Sequence, residues 1–305
     1  MDVKPGEGRA DERVGVVIVT LNRCHELSRT LRVIERLAEA SRVVVVDNGS
    51  TDGTTEMVRT AHPCVELISL PRNIGAAARN IGVRWLPTPF VAILDDDTWP
   101  EPGALHRAAE VLTAHPRVAV VTGQVLIGTD GVVDPTCVVM SNSPIATPAS
   151  LPGRAVIGFL AGASMVRREA FIEAGGFAAG AGIGGEEELL AYDLLDAGWT
   201  ILYVPEMRIR HHPSPRRDRH ARARIVTRNR LRVAWMRRSW SDAIRITMTE
   251  LRDRDRPTPL LWACGVFFTA LMQRRRLSDE AERVVRQVER QPIESTLDEQ
   301  VLASP

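Results

Sequence analysis

Three consecutive carboxylates, Asp95-Asp96-Asp97, follow directly on the apolar run Phe90-Val91-Ala92-Ile93-Leu94. Packing gives no reason to end a buried strand in a cluster of negative charge. Adjacent like charges repel, and each desolvated carboxylate costs free energy unless something positive meets it. A hard divalent cation carrying a phosphate is a suitable partner, because Mg²⁺-type ions take oxygen ligands and are commonly held by one or two carboxylates plus substrate phosphates. The plainer alternative is a solvated acidic turn. Other polar groups stand at comparable points of the chain: Thr20-Leu21-Asn22-Arg23, Asp47-Asn48 and Arg72-Asn73.

Each of these clusters ends an apolar stretch. Val14 to Val19, Val43 to Val46 and Phe90 to Leu94 are continuous apolar runs with β-branched residues, which predicts strands buried on both faces, and Val65 to Leu70 reads as a further strand. Between them Leu27, Leu31, Ile34 and Leu37 recur at helical spacing, a short helix is expected near Thr54 to Thr60, and Ile74, Ala77/Ala78, Ile81 and Trp85 mark another helix face. Strands alternating with helices imply βαβ units, a parallel sheet and right-handed crossovers. Ligands of such sheets bind beyond the carboxyl ends of the strands. Here four strand ends direct polar groups the same way. No G-x-G-x-x-G follows the first strand, and no P-loop pattern occurs.

The second half is less regular. Val118 to Leu126 reads as strand, 128–153 as loops rich in Gly, Pro and Ser, Arg167 to Ala174 and Glu186 to Ala197 as helices, and Thr200 to Val204 as strand. A net charge of +1 over 305 residues provides no global field for nucleic acid. The four cysteines, Cys24, Cys64, Cys137 and Cys264, form no C-x-x-C pair; they suit a reducing cytosol and argue against a disulfide framework or a zinc site. Met1 to Arg13 is polar and predicts no secretory signal, and the apolar stretch Pro259 to Met272 is too short to span a bilayer. A cytoplasmic protein is expected, at most peripheral at the inner face of the membrane.

In order, Val17-Ile18-Val19-Thr20-Leu21-Asn22-Arg23, Val45-Val46-Asp47-Asn48-Gly49-Ser50-Thr51-Asp52-Gly53-Thr54, Arg72-Asn73-Ile74-Gly75 with Ala78-Arg79-Asn80, and Leu94-Asp95-Asp96-Asp97 resemble the family 2 glycosyltransferases of the GT-A fold. The likeness continues through Arg167-Arg168-Glu169-Ala170-Phe171 and Gly175-Gly176-Phe177 to Gly185-Glu186-Glu187, and spans roughly 14 to 230. It implies an α/β GT-A fold, a mostly parallel sheet flanked by helices with a C-terminal helical extension. It also implies an inverting transferase that moves a sugar from a UDP- or dTDP-type nucleotide sugar to a hydroxyl acceptor: a sugar, a lipid-linked group or a small molecule. Thr20, Asn22, Arg23 and Asp47 match nucleotide-binding positions, and Arg72 lies where the family contacts nucleotide or phosphate. Asp47 has the chemistry to accept the N3–H of uracil or thymine, although an Asx turn would also use it. Asn73, beside Gly75, is expected to cap the helix that follows and fix its loop. The resemblance places Asp95 on the ribose or nucleotide side and within reach of the metal, Mg²⁺ or Mn²⁺; Asp97 is the direct ligand, and Asp96 stands between the two roles.

Family members usually carry Glu-Asp at a helix start, the second residue acting as base. Counting back from Ala197-Gly198-Trp199 places the pair at Glu186-Glu187, with Glu188 following. Glutamate stands where aspartate is usual, so the choice among the three stays open, with Glu187 favoured. Acids in a first helical turn also complement the helix dipole. The family often has a histidine where His211-His212 stands, completing the metal site or touching the diphosphate; His211 fits the position better.

Arg216 to Arg238 holds ten arginines. They suit a solvated helix face, a phosphate grip, or an anionic membrane or nucleic acid. Aromatic interleaving is sparse, so no nucleic acid is expected. Trp262, Phe267 and Phe268 with Arg274-Arg275-Arg276 either cover the domain or form an interfacial helix. The organisation read from these signals is a tail at 1–12, a catalytic domain at 13–215, a basic helical extension at 216–278 and a charged tail at 279–305. Two rivals are a non-catalytic nucleotide-sugar or glycan-binding module of the same fold and a nucleic-acid-binding protein working through the arginines. A sugar nucleotidyltransferase is a third, but its Gly-rich N-terminal loop is missing.

Overall fold

The computed structural model describes residues 10–37, 39–178, 185–213, 219–252 and 267–290. Residues 1–9, Gly184, Arg216, Arg217, Trp262, Cys264 and 291–305, all named above, lie outside the described residues. The chain alternates as β1 (Asp11–Thr20), α1 (Cys24–Leu37), β2 (Ala40–Asp47), α2 (Thr54–Ala61), β3 (Glu66–Ser69), a 3₁₀ turn (Gly75–Ala77), α3 (Ala78–Trp85) and β4 (Phe90–Asp95). Then follow β5 (Thr98–Pro100), α4 (Ala104–Ala114), β6 (Val118–Ile127), β7 (Val132–Val133), α5 (Pro135–Ser141), β8 (Arg154–Ala155), β9 (Ala163–Arg167), α6 (Arg168–Glu173), α7 (Glu186–Asp196) and β10 (Thr200–His211). The main sheet runs β3-β2-β1-β4-β9-β6-β10-β5.

Six of those eight strands point the same way; β9 and β5 run against them. The predicted continuous runs are the buried centre. Val16, Val17 and Ile18 of β1, Val44 to Val46 of β2 and Val91 to Leu94 of β4 have no exposed surface. Helices cover the sheet closely: a Cβ on Gly82 of α3 would lie 2.1 Å from Val17 Cγ2, so only glycine permits this approach.

The antiparallel β9 matters for the site. It enters between β4 and β6, with Ala163 opposite Leu94. Its amino end therefore lies beside the carboxyl end of β4, where the acidic triplet begins. A Cβ on Gly162 would fall 2.4 Å from Asp95 Oδ2. A small residue is required there because backbone and carboxylate share the space.

Three local expectations differ from the structure. Ile74 and Trp85 are 36 % and 59 % exposed; α3 buries Ala78, Asn80, Gly82 and Val83 instead, and the Trp85 indole Nε1 donates to Glu66 Oε2 at 2.6 Å. The region read as loops contains α5, whose start at Asp134-Pro135 has aspartate accepting from Thr136 N at 2.8 Å and proline at the first turn. Residues 279–289, read as part of a charged tail, form a helix capped by Ser278. Its Ala281 and Val285 pack with Leu189 and Tyr192 of α7.

Two further helices, α8 (Arg219–Arg237) and α9 (Trp240–Arg252), complete the C-terminal layer. The arginines whose side chains are described are mostly paired within the chain. Arg237 holds Asp193 of α7 with bonds of 2.7 and 3.0 Å, Arg230 meets Glu250 at 2.7 Å, and buried Arg238 bonds Glu282 at 2.9 Å and also Glu289. Arg237 and Arg238 are thus buried and paired, not part of a solvated face, and the Arg237–Asp193 pair locks the layer onto the helix that begins with Glu186.

Candidate active site

The loops at the carboxyl ends of β1, β2 and β3 are tied to each other. Asn22, a non-glycine residue at φ 54°, accepts from Thr51 N at 2.8 Å, while its own N–H donates to Ser50 Oγ. Buried Asp47 accepts from Ser50 N, three residues on, at 3.0 Å and from Thr55 Oγ1 at 2.5 Å, so both carboxylate oxygens close this loop, through a wider turn than the two-residue Asx turn. Asn48 joins this loop to the next: Oδ1 accepts from Ile74 N at 2.9 Å and Nδ2 donates to Gly75 O at 3.1 Å. Asn73 accepts from Gly75 N at 2.7 Å and fixes the loop as expected, although Ile74 holds the cap position of the 3₁₀ turn. Arg72 is exposed at the rim, its backbone against Gly49.

The acidic triplet divides into two groups. Asp96 and Asp97 share the Arg23 guanidinium: Nε lies 3.0 Å from Asp96 Oδ1 and Nη2 2.6 Å from Asp97 Oδ2. Thr20 donates to Asp96 Oδ2 at 2.9 Å. Burial pushes the Asp96 carboxyl up to about 7; Arg23 opposes the rise and Asp97 adds to it. Asp97 is 1 % exposed, and His211 Nε2 stands 3.6 Å from its Oδ1. Strand alternation turns the next residue away, and His212 stacks on Trp99 with ring centroids 5.0 Å apart. Thr20, Arg23, Asp96, Asp97 and His211 thus form one cluster.

Asp95 belongs to the second group. Its Oδ1 accepts from Arg79 Nη2 at 2.7 Å. Sequence reasoning quoted Arg79 without giving it a role. Burial works against its charge, but Asp95, Glu187 and Glu186 together hold it charged. The available signal was a charged residue set among the small, buried positions of α3. Its neighbour Asn80 works structurally, donating to Phe177 O at 2.8 Å and accepting from Phe177 N at 2.9 Å, which anchors the Gly175-Gly176-Phe177 turn.

Gly185, at φ 89°, caps α7, and the three glutamates of its first turn face different surroundings. Glu187 Oε1 accepts from Ala161 N at 3.2 Å, beside Gly162 and Asp95. Burial pushes its carboxyl up to about 7; Glu186 adds to the rise and Arg79 opposes it. Glu186 is 2 % exposed. Glu188 is directed into the C-terminal layer, where it accepts from Tyr192 Oη at 2.8 Å.

Two chemical capacities result. Glu187 is a carboxyl poised near neutrality, as a general base should be. Among the described residues no group of three His, Cys, Asp or Glu gathers closely enough to hold a metal ion by itself. The Asp97–His211 pair, with the oxygen-rich triplet beside it, fits a divalent cation that draws its other ligands from phosphate and water.

The family model "Glycosyl transferase family 2" matches residues 15–175. The chain is 28 % identical over 232 residues, 65 % of its length and 75 % of the relative's, to an N-acetylglucosaminyl-diphospho-decaprenol L-rhamnosyltransferase of Mycobacterium tuberculosis. Among solved structures it is similar to the mannosyltransferase PcManGT from Pyrobaculum calidifontis in complex with GDP-Man and Mn²⁺, with TM-score 0.57 and 22 % identity over 100 % of this chain and 79 % of that one. S. aureus TarS 1-349 in complex with UDP-GlcNAc gives TM-score 0.56 and 16 % identity over 86 % of this chain and 72 % of that one. With more than half of its residues inside the family match and its sheet shared with these transferases, the chain belongs to family 2 of the glycosyltransferases and is a transferase of the GT-A fold.

Proposed function

We propose that the chain transfers a sugar from a nucleoside-diphosphate sugar, of the uridine or thymidine type, to a hydroxyl acceptor with inversion at the anomeric carbon. One observation carries this reading. Glu187, pushed up to about 7, lies with Ala161 at the entrance of β9, while the Asp97–His211 pair stands beyond the carboxyl end of β4 and at the end of β10. A proton acceptor and a seat for a charged diphosphate thus share one rim of the sheet.

Glu187 removes the acceptor hydroxyl's proton as its oxygen attacks, a contribution of about 10²–10⁴-fold. One base and one displacement give inversion. Arg79 keeps Asp95 in place and limits the rise of Glu187. The knitted loops of Asn22, Asp47 and Arg72 form the nucleotide's bed, with the loop that Asp47 closes against the base and Asp95 and Asp96 towards the ribose. A divalent cation held by Asp97 and His211, with Asp95 nearby, would neutralise charge on the departing diphosphate. The similar mannosyltransferase structure contains Mn²⁺, which supports this cofactor class.

The acceptor is a sugar, a lipid-linked group or a small molecule; the name of the mycobacterial relative supports the lipid-diphosphate class. The domain reading places catalysis in 13–215 and the helical extension beyond it, in a protein working in the cytoplasm. No nucleic-acid partner is proposed.

A thermal-shift screen of UDP-, dTDP- and GDP-sugars with and without Mn²⁺ tests the reading, since a ligand that binds the native state raises the melting point. Uridine or thymidine diphosphate sugars should raise it with Mn²⁺ present. No shift with any donor would overturn the proposal.

A further inference from the structure

Six exposed apolar side chains lie on two adjoining pieces of the C-terminal layer. Trp240, Ile244 and Met248 recur every four residues along α9 and are 54 %, 53 % and 45 % exposed. Phe267, Phe268 and Met272 follow on the helical turn 267–272, the last two 67 % and 75 % exposed. The pieces meet at Trp235, whose ring centroid lies 5.9 Å from that of Trp240 and 4.6 Å from that of Phe267. The opposite face of α9 is occupied, with Ala243 and Ile246 packed on Leu231 and Ala234 of α8. The stripe is therefore additional to the apolar surface that seats the helix.

The stretch of sequence that holds it is strongly net positive. From 216 to 276 there are seventeen arginines and five carboxylates, a net of +12 in a chain whose total is +1. Ion pairs to four carboxylates outside this stretch, Asp193, Asp279, Glu282 and Glu289, leave +8. The Arg274 guanidinium lies 4.0 Å from the Trp240 ring centroid, at one end of the stripe, and Arg252 is exposed at the other. An apolar stripe with an aromatic end, set in a positive field, matches a surface that lies in the plane of an anionic bilayer. The apolar side chains enter the headgroup boundary while the arginines meet lipid phosphates.

We propose that the face formed by α9 and residues 267–272 docks on an anionic lipid bilayer. It lies on the membrane: among the described residues no helix is long and apolar enough to cross one. The docking makes no use of the Glu187 and Asp97 chemistry, so it stands or falls separately from the transfer reaction.

The test is cosedimentation of the full chain with phosphatidylcholine vesicles, with and without one third phosphatidylglycerol, at physiological salt. The chain should bind the anionic vesicles and not the neutral ones. The variant Ile244→Glu/Met248→Glu, both sites exposed, should bind roughly tenfold more weakly or worse, because acidic groups cannot enter the boundary. Its melting point should be unchanged; Ile244→Ser/Met248→Ser makes the same comparison should the glutamates lower it. Absence of wild-type binding would overturn the proposal. So would undiminished binding by the variants, which would mean attraction by charge alone. A wild-type dimer that the variants dissociate, without vesicle binding, would assign the face to a second copy and overturn it as well.

Discussion

Replacing Glu187 by glutamine removes one charge and keeps the side chain's size. Burial raises this carboxyl from the ordinary 4.5 to about 7. The folded chain therefore holds the proton more tightly than the unfolded chain. Stability falls as pH rises from 4.5 towards 7, and above 7 the loss is complete. A gap of about 2.5 pH units sets an upper limit of about 3 kcal/mol. Coupling to Glu186 and the partly open position reduce the expected cost to about 1–2 kcal/mol. Glutamine resembles the neutral acid and escapes this cost. The variant should be more stable than the wild type by that amount in urea unfolding at pH 8.5, with a smaller gain at pH 5. Its turnover should fall by about 10²–10⁴-fold above pH 7, the contribution expected of a general base. A carboxylate that merely caps the helix would lose stability together with activity. Turnover within about tenfold of wild type, below the smallest base contribution, or stability that is lowered at pH 8.5, would refute the reasoning.

Arg79→Gln removes the cation that opposes the rise of Glu187, so the acidic limb of the pH–kcat/KM profile should move to higher pH; an unmoved limb would separate Arg79 from the base. Asn80→Ala leaves the buried Phe177 N–H and C=O without their side-chain partners and should cost about 2–4 kcal/mol in chemical denaturation. Gly82→Ala inserts a methyl group where Val17 Cγ2 lies 2.1 Å away. It should destabilise by about 1–3 kcal/mol, measured the same way, because the helix must move off the sheet.

The strands were legible because a strand buried on both faces leaves little choice of residue, as in Val14 to Val19 and Phe90 to Leu94. The polar ends followed from strand direction, and Asp97 with His211 could be named because a resemblance in motif order placed them. The remainder depended on partners distant in sequence. Val156 to Val166 has no period that distinguishes a parallel strand from an antiparallel one, so the insertion of β9 beside β4 was not readable. Arg23 matches a nucleotide-binding position by motif, and the sharing of its guanidinium by Asp96 and Asp97 depends on residues more than seventy positions away. Arg79 resembles a surface residue until Asp95 is placed opposite it. The helix at 279–289 was hidden by its charges, whose buried Glu282 makes sense only once Arg238 is seen to meet it.

The central claim is that the acidic end of β4 and His211 seat a cation together with a nucleotide sugar. Titration calorimetry of UDP- and dTDP-sugars into the wild type and Asp97→Asn, with and without Mn²⁺, tests it most directly. The account predicts binding by the wild type that requires Mn²⁺, and loss of that requirement together with most of the affinity in Asp97→Asn. A wild type that binds neither Mn²⁺ nor any nucleotide sugar, or an Asp97→Asn variant with unchanged Mn²⁺-dependent affinity, would contradict it.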